Sequence, residues 1–336
     1  MNHLTLPHLR TPININFDLT YNCNAKCKFC FISNKLIHDR FQSKKKIFKI
    51  IDKLFESNIF RINFFGGEPS LHPDILEIIK YAKEQNFKVT LVTNSLAFNK
   101  SNILEYEKYL DGIGVSLHGP EKIHNYLMGV LNAYKQALFV IEHFSKANKL
   151  VGVNFTLTKE NYKYFYDTAL NLCEHYHIGF VAISRFISSD DTFLGKELKS
   201  KYEPDKDVLN YTLEKMNILQ EQYPLVDIRM SIFFPLCIVK NPSHKKFLLP
   251  CSFGQNYCTI DYNGNIKLCS YGNAVIGNIL EDNFEEIWKS NPLLIKYRSC
   301  EWFPTKCRNC PDFPKCLGGC KVTNKSKSFS VDKLAL

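Results

Sequence analysis

The stretch CNAKCKFC, residues 23–30, places three cysteines within eight positions, separated by three residues and then by two. It follows TPININFDLT, residues 11–20, in which apolar and polar residues alternate as in a β-strand. A structural zinc site takes four ligands, usually as two close pairs. A cubane 4Fe–4S cluster also takes four, so three cysteines leave one iron open to another molecule. The spacing therefore indicates chemistry, with a zinc site completed by a distant residue as the alternative.

Length and composition are those of a globular protein. The chain has 336 residues, of which 45% are apolar, enough for two domains and a sizeable core. No apolar run approaches the roughly 18 residues of a membrane span. The first ten residues, MNHLTLPHLR, lack the apolar centre of a secretion signal. We therefore expect a soluble cytoplasmic protein without a membrane partner.

The charge balance is basic. Lysines and arginines number 43 against 33 acidic residues, which gives a formal charge of +10. A basic patch can attract nucleic acid or an acidic substrate. A lysine-rich solvated surface explains the same excess more simply, so we do not expect a nucleic-acid partner.

Thirteen cysteines are many for such a chain. Without a secretion signal, ligation of a metal or cluster, or catalysis, explains them better than disulfides do. Three lie within residues 23–30, one is Cys173, and nine lie between Cys237 and Cys320. The first and last groups therefore indicate separate sites in separate domains. Cys173 lies on a predicted apolar helix and is expected to be a buried core thiol.

Strand and helix patterns alternate through the first half of the chain. Strands are predicted at residues 11–20, 59–65, 88–93, 112–117, 151–157 and 179–184. Helices are predicted between them, at residues 43–58, 73–85, 102–109, 130–146 and 162–176. This alternation predicts a parallel sheet with helical crossovers, built as an open doubly wound sheet or as a partial barrel. In both, functional residues gather at the carboxyl ends of the strands, where the cysteine triplet lies.

The pattern changes in the second half. A helix is predicted at residues 205–222, followed by irregular structure. DYNGNI, residues 261–266, predicts a hairpin turn between short strands. The remaining segment with dense cysteines, CRNCPDFPKCLGGC at residues 307–320, would by itself also fit a zinc ribbon.

The triplet resembles the Cys-x3-Cys-x2-Cys motif of the radical S-adenosylmethionine (radical SAM) superfamily at Cys23, Cys27 and Cys30, and Phe29 fits the aromatic position before the last cysteine. The resemblance implies that the three thiolates hold a 4Fe–4S cluster. Its open iron would bind the amino and carboxylate groups of SAM. An electron from the cluster would then cleave SAM to methionine and a 5′-deoxyadenosyl radical, which abstracts a substrate hydrogen.

The end of the second predicted strand resembles the same family. FFGGEP, residues 64–69, is similar to the Gly-Gly-Glu motif that contacts the methionine amine of SAM. The resemblance implies a cofactor-binding role for Gly66, Gly67, Glu68 and Pro69. Two glycines allow a backbone to approach a ligand closely, and a carboxylate pairs with an ammonium group. A plain turn is the alternative interpretation.

Polar residues at later strand ends complete the predicted site. Ser116 has the position of the family's ribose-contacting residue, with Asn94 as a second cofactor contact. Arg185 is predicted to pair with the carboxylate of SAM, and His118 to face the substrate or transfer a proton. Satisfied strand-end groups, a surface arginine and a structural histidine are the corresponding alternatives.

The late cysteines resemble the SPASM extension of radical SAM enzymes, which carries two auxiliary 4Fe–4S clusters. Carried over by position, one cluster uses Cys251, Cys258, Cys269 and Cys320, and the other uses Cys307, Cys310 and Cys316. The family pattern usually has a further cysteine after the last Gly-Gly-Cys, and this chain has none. Cys300 is the nearest replacement and Cys237 a remoter one. If neither cysteine serves, the second auxiliary cluster is open to substrate or takes a non-cysteine ligand, or the site holds no cluster.

Together the resemblances imply a partial (β/α)6 TIM-like radical SAM barrel followed by a small cysteine-rich SPASM-like domain. We predict a radical SAM core at residues 12–195, a connecting helical region at 196–240 and the auxiliary-cluster domain at 241–325. The implied cofactors are SAM, one SAM-binding 4Fe–4S cluster and one or two auxiliary clusters.

The predicted activity is that of a radical SAM oxidoreductase or maturase that cross-links, oxidises or epimerises a peptide or protein. The first alternative is a dehydrogenase or epimerase of a small molecule such as a sugar or aminocyclitol. The second is a non-catalytic iron–sulfur or zinc protein. The expected partners are the substrate and an electron donor such as flavodoxin or ferredoxin. The first strand begins near residue 13, which leaves no room before it for a peptide-recognition domain. A peptide substrate would therefore be held by a separate recognition protein or by the barrel itself.

Overall fold

The computed structural model of the protein describes residues 5–32, 36, 40–187, 201–252, 254–323 and 330–335. Within these ranges a single ten-stranded sheet runs through both halves of the chain. Its strands are β1 (Asn14–Thr20), β2 (Arg61–Gly66), β3 (Lys88–Thr93), β4 (Gly112–Ser116), β5 (Leu150–Leu157), β6 (Phe180–Arg185), β7 (Asp227–Met230), β8 (Tyr257–Asp261), β9 (Asn265–Lys267) and β10 (Val275–Asn278). Their order across the sheet is β10-β9-β8-β1-β2-β3-β4-β5-β6-β7.

Strands β1 to β7 are all parallel to their neighbours, as the strand and helix alternation predicted. The helices that cross between them are α1 (Lys44–Glu56), α2 (Ile75–Glu84), α3 (Ile103–Tyr109), α4 (Glu121–Met128), α5 (Ala133–Lys146), α6 (Phe165–His175) and α7 (Lys206–Gln222). Four short helices follow, α8 (Phe284–Ser290), α9 (Pro292–Arg298), α10 (Thr305–Arg308) and α11 (Phe313–Cys316).

Two elements of the barrel were missed from the sequence. Helix α4 precedes the helix predicted at residues 130–146, and Gly129 separates the two because its left-handed φ of 65° ends α4. Strand β7 lies within the predicted connecting region and adds a parallel strand beside β6. The predicted boundary after residue 195 itself lies outside the described residues.

The auxiliary half is joined to the barrel through the sheet. Strand β8 pairs in parallel with β1, and β9 and β10 continue from β8 as antiparallel strands. A buried ion pair reinforces this join, with Lys267 Nζ 3.7 Å from Asp18 Oδ2. The two halves of the chain therefore share one sheet, and the late cysteines are held close to the barrel.

The alternating pattern of β1 separates an apolar face from a polar one. Ile15 and Phe17 are fully buried in the apolar core, which also contains the buried face of α1. Asn16 and the residues aligned with it on neighbouring strands form a hydrogen-bonded row. Asn63 Nδ2 donates to Asn16 Oδ1 at 3.0 Å, and Thr90 Oγ1 donates to Asn63 Oδ1 at 3.0 Å. The face of the sheet that carries Asn16, Asn63 and Thr90 is therefore polar.

Cys173 differs from its prediction. Its thiol is partly buried and packs against the edge of the core from α6, rather than lying fully inside it. Within the described part of the chain, no helix combines the length and apolarity that crossing a membrane requires.

Candidate active site

A cavity of about 160 Å³ lies at the carboxyl ends of the first six strands. Each of these strands, or the loop that follows it, supplies lining residues. They are Cys23, Cys27 and Cys30 after β1, Gly66, Gly67 and Glu68 at β2, Thr93 and Asn94 at β3, Ser116 and His118 at β4, Asn154 and Thr156 on β5, and Ser184 and Arg185 on β6. Six strand ends that meet at one cavity are the arrangement of a barrel active site.

The cysteine loop is held in place by the end of α4. The amide of Lys26 donates to the Met128 carbonyl at 3.0 Å, and the amide of Lys28 donates to the Leu127 carbonyl at 2.9 Å. Burial raises the pKa of Cys27 well above its ordinary value, and the neighbouring thiols of Cys30 and Cys23 raise it further. The three thiols are therefore neighbours at one wall of the cavity.

This donor set fits a 4Fe–4S cluster with an open iron. Three thiols from one loop line a cavity that continues past them toward polar strand ends. In the part of the chain that the structure describes, no group of three or more His, Cys, Asp or Glu side chains is arranged for a single metal ion. A cluster is bound at separate corners, so its thiolates stand farther apart than the ligands of one ion.

The two glycines of FFGGEP allow β2 to approach the cysteine loop. A Cβ at Gly66 would lie 2.3 Å from the Thr20 carbonyl oxygen, and one at Gly67 would lie 2.2 Å from that of Asn22. The amides of Gly67 and Glu68 donate to these same two carbonyls, both at 2.7 Å. The prediction gave the glycines contact with a ligand. The structure gives them a further role, which is to fix the backbone just before Cys23.

Glu68 is the hydrogen-bonding centre of this edge and is 1% exposed. Its Oε1 accepts from the Ser70 amide at 3.2 Å, from the Ser70 hydroxyl, and from Thr93 Oγ1 at 2.7 Å. Its Oε2 accepts from the Asn94 amide at 2.6 Å. Burial raises the pKa of Glu68, although these hydrogen bonds oppose the shift. The carboxylate thus joins the ends of β2 and β3, and Glu68 lines the cavity.

Glu68→Gln should lower the affinity for SAM about ten-fold or more, because a charge-assisted hydrogen bond is worth about 1.5–3 kcal/mol. The amide nitrogen of glutamine cannot accept the bonds that one carboxylate oxygen now receives, so stability should fall by about 1–3 kcal/mol as well. Isothermal titration of SAM into reconstituted protein measures the first effect, and thermal unfolding the second.

Ser70→Ala is the matched control, because it removes one hydrogen bond to Oε1 and leaves the charge. It should weaken SAM binding far less than Glu68→Gln. Iron content should be the same in both variants. Equal losses of affinity in the two variants would mean that Glu68 acts only through the local fold.

Pro69 starts the short 3-10 turn Pro69–Leu71 and does not line the cavity, so its predicted cofactor contact is not supported.

Asn94 is engaged mainly with the cysteine loop. Its Nδ2 donates to Asn24 Oδ1 at 2.8 Å and lies 3.7 Å from the Cys23 sulfur. Its Oδ1 accepts from the Leu96 amide at 2.9 Å. The residue therefore positions the first cysteine, a role that the sequence did not indicate.

Ser116 lies at the end of β4, in register with Asn154 of β5, and both line the cavity. The Asn154 Nδ2 is buried and has no hydrogen-bond partner within the described chain. An orphaned amide that lines a cavity is suited to a polar ligand. The sequence reasoning missed Asn154, although a single Asn among the apolar residues of VGVNFTL was a signal.

His118 lines the cavity, as predicted, but as a neutral ring. Burial lowers its pKa well below the ordinary value, and the neighbouring His124 lowers it further. Its Nδ1 accepts from the Thr156 amide at 3.0 Å, so the proton is on Nε2. The ring packs edge-on against Phe29, with centroids 4.6 Å apart. His118 can therefore donate a hydrogen bond, whereas accepting a proton at Nδ1 would break an existing one.

Arg185 is a buried residue at the end of β6. It is 3% exposed, so it is not a surface arginine. Its guanidinium forms an ion pair with Asp332, which is fully buried. The same Asp332 oxygen accepts from the Cys320 amide at 3.2 Å. The guanidinium therefore links the barrel to the late cysteines. Its pairing with the SAM carboxylate stays a prediction, because Arg185 also lines the cavity and its Nε has no hydrogen-bond partner among the described residues.

Tyr271 is a cavity residue that the sequence reasoning missed. It lies two positions after Cys269, and its ring stacks on Phe31 with centroids 4.0 Å apart. Burial raises the pKa of Tyr271, and the thiols of Cys269, Cys320 and Cys30 raise it further. The ring therefore lies between the first cysteine group and the late ones.

The structure brings together three of the four cysteines predicted for the first auxiliary cluster. Burial raises the pKa of Cys269 to about 12, and the thiols of Cys320 and Cys251 contribute to the shift. Cys258 stands apart from them. It lies on β8 beside Ile15 in the apolar core, and burial alone raises its pKa. Its predicted ligand role is not supported by this placement.

The second predicted auxiliary site is a cavity of about 180 Å³ lined by Cys307, Cys310 and Cys316. Cys300, the nearest spare cysteine in the sequence, is not part of its lining. The Cys300 thiol is buried and donates to the Arg298 carbonyl at 3.6 Å. This placement does not support Cys300, one of the alternatives for the fourth ligand of this site. Cys237 lines the cavity instead.

Two family models match the chain. The radical SAM superfamily model matches residues 17–172, which contain the end of β1, the cysteine triplet and β2 to β5. The SPASM model, an iron-sulfur cluster-binding domain, matches residues 251–311.

Two kinds of curated relative are similar over nearly the whole chain. An AdoMet-dependent heme synthase from Oleidesulfovibrio alaskensis is 25% identical and covers 94% of this chain and 84% of its own length. The mycofactocin maturase MftC from Mycobacterium tuberculosis is 24% identical, covering 96% of this chain and 82% of its own length.

Solved structures share the fold. Streptococcus suis SuiB bound to its precursor peptide SuiA superposes with a TM-score of 0.76 at 20% identity, covering 98% of this chain and 76% of that one. The enzyme anSMEcpe with bound AdoMet gives a TM-score of 0.71 at 17% identity, covering 96% and 90%. The solved structures show a shared fold, and the two family matches identify a radical SAM domain and a SPASM domain in this chain, which implies 4Fe–4S clusters and SAM as its cofactors.

Proposed function

We propose that the protein cleaves SAM reductively in the barrel cavity and abstracts a hydrogen atom from a peptide substrate. The observation that carries the proposal is the cavity itself. It joins the cysteine triplet, the Gly66–Gly67–Glu68 edge and polar strand ends to residues that contact the auxiliary cysteines. When bound, the cluster and SAM supply a 5′-deoxyadenosyl radical.

The residues of the cavity have separate roles. Cys23, Cys27 and Cys30 hold the cluster as thiolates. Glu68 would pair with the ammonium group of SAM, because its carboxylate lines the cavity. Ser116 and Asn154 hydrogen-bond the polar groups of the nucleoside from adjacent strands, because both side chains face the cavity at one level of the sheet.

The remaining lining controls water and protons. Phe29 and the stacked rings of Phe31 and Tyr271 enclose the cavity on the side of the cysteine loop. Such apolar walls exclude water and other small molecules, which limits side reactions of a reactive intermediate. His118 presents an N–H donor at Nε2, because its other ring nitrogen is occupied by the Thr156 amide.

The late cysteines are placed to take up an electron. A substrate that has lost a hydrogen atom becomes a closed-shell product when it also gives up one electron and one proton. Tyr271 lies between the cavity and the group formed by Cys251, Cys269 and Cys320. We assign the auxiliary cluster bound there as the acceptor, and a flavodoxin or ferredoxin as the donor of the electron that SAM cleavage consumes.

A peptide substrate is supported by likeness and by charge. MftC is a maturase, and SuiB binds a precursor peptide. Among the described residues that line the cavity, Arg185 is the only permanent cation, and Asp332 neutralises it. His118 is neutral because burial lowers its pKa. These residues suit an uncharged side chain better than a substrate with several carboxylates.

A heme precursor is the second candidate, favoured by the 25% identity to AdoMet-dependent heme synthase over 94% of the chain. A heme precursor carries several carboxylates. It would require cations that the described lining does not offer.

Deuterium transfer separates the two candidates. Reconstituted protein is incubated with SAM and a strong reductant, together with either a deuterated precursor peptide encoded beside the gene or a deuterated heme precursor. We expect deuterium in 5′-deoxyadenosine from the peptide alone. Transfer from the heme precursor alone would establish the second candidate. Cleavage of SAM without transfer from either molecule would exclude both substrates.

A further inference from the structure

Four thiols line the second auxiliary cavity, although only three were expected from the late cysteine motif. Cys307, Cys310 and Cys316 come from the segment around α10 and α11. The fourth, Cys237, comes from the short 3-10 turn Leu236–Ile238 that follows β7. The cavity is thus closed by two segments that lie far apart in the sequence.

A hydrogen bond fixes the two segments to each other. The amide of Leu236, directly before Cys237, donates to the sulfur of Cys316 at 3.3 Å. Amide donors to sulfur are a regular part of the surroundings of cluster thiolates. This bond holds the turn that carries Cys237 against Cys316, and both cysteines line the cavity.

The late segment is itself ordered for ligation. The amide of Cys310 donates to the Cys307 carbonyl at 3.0 Å, which turns the chain so that both cysteines line the cavity. Cys316 ends α11, and Leu317 after it adopts a left-handed φ of 45°. These turns bring three thiols of the segment to the cavity, and the turn Leu236–Ile238 brings the fourth.

We propose that Cys237 supplies the fourth thiolate of the second auxiliary 4Fe–4S cluster. The site is then closed, with four cysteines for four irons. A closed cluster exchanges electrons but does not ligate substrate. Cys237 is solvent-exposed, so this cluster lies where a protein electron carrier can approach it. The proposal goes beyond the substrate assignment and does not depend on it.

Differential alkylation tests the ligand in the unaltered chain. Iodoacetamide is added under anaerobic conditions to reconstituted protein and to protein stripped by a chelator, and each cysteine is quantified by mass spectrometry. We expect Cys237 to be labelled in the stripped protein and protected after reconstitution, together with Cys307, Cys310 and Cys316. Cys173, which lies on α6 away from both sites, should be labelled equally in the two samples.

Labelling of Cys237 in reconstituted protein, with the other three cysteines protected, would overturn the proposal. Labelling of all four would also overturn it, because the cavity would then hold no cluster. SAM cleavage depends on the triplet in the barrel, so it can persist in either case. A failure of this proposal is thus distinguishable from a failure of the proposed function.

Paired variants give a second measurement. In a chain that already lacks Cys23, Cys27 and Cys30, Cys237→Ala should lower bound iron by about one to four atoms per chain, through conversion or loss of one four-iron cluster. Electron paramagnetic resonance should show a three-iron cluster where only one iron is lost. Cys300→Ala is the control and should leave iron unchanged. Iron loss in Cys300→Ala but not in Cys237→Ala would contradict the assignment.

Discussion

Replacement of Cys23, Cys27 and Cys30 together by alanine is expected to abolish the formation of 5′-deoxyadenosine from SAM. Each thiol lies at the wall of the barrel cavity, and the loop that carries them supplies every cysteine there within the described chain. Without these thiolates no cluster with an open iron can be held beside Glu68. The measurement is chromatography of 5′-deoxyadenosine after anaerobic reconstitution and chemical reduction.

The same variant should keep the iron of the auxiliary sites, because their cysteines lie in another part of the chain. Cys173→Ala serves as the control for the loss of a cysteine and should cleave SAM at the parental rate. A triple variant that still forms 5′-deoxyadenosine at that rate would refute the assignment of the cavity. Zinc in place of iron in the triple variant, after anaerobic purification, would refute the auxiliary clusters and leave the barrel assignment intact.

Gly67→Ala is expected to remove most SAM cleavage even though glycine ligates nothing. The new Cβ would lie 2.2 Å from the oxygen and 2.8 Å from the carbonyl carbon of Asn22. These are backbone atoms, so the chain next to Cys23 must shift. A displacement of about 1 Å at a reacting centre can cost about a hundred-fold in rate. Overpacking should also lower the free energy of unfolding by about 1–3 kcal/mol.

Gly272→Ala is the matched control for this substitution. The nearest atoms to its added Cβ lie 3.6 Å away, which is ordinary contact. Its effect on stability should stay within about 0.5 kcal/mol, and SAM cleavage should be unchanged. Denaturant unfolding and 5′-deoxyadenosine formation give the two readouts. Parental activity in Gly67→Ala would show that the cysteine loop tolerates the shift, against the role given to the glycine.

Local patterns in the sequence were sufficient for the elements of the barrel. The six strands from β1 to β6 follow the alternation of apolar residues, and α1 follows the spacing of Ile47, Ile50 and Leu54, all buried. Such patterns depend only on residues close together in the chain, because one face of each element must be buried. The cysteine triplet could be recognised for the same reason, since its spacing is contained in eight residues.

Strand β7 escaped prediction because it spans only the four residues from Asp227 to Met230, too few to show a period. The pairing of β8 with β1 escaped because it joins distant residues such as Ile15 and Cys258. That pairing also determines the position of Cys258, which the late cysteine motif predicted to be a ligand of the first auxiliary cluster. The strand turns its thiol into the apolar core instead.

Only the tertiary structure determined which partners the polar and sulfur-containing groups have. Arg185 pairs with Asp332, and Leu236 donates to Cys316 across 80 positions of sequence. A buried charge takes whichever partner the fold brings within reach, because leaving it unpaired costs more than any local preference. The sequence by itself therefore determined the barrel and the chemistry of the triplet, whereas the three-dimensional packing of distant segments determined which residues complete each site.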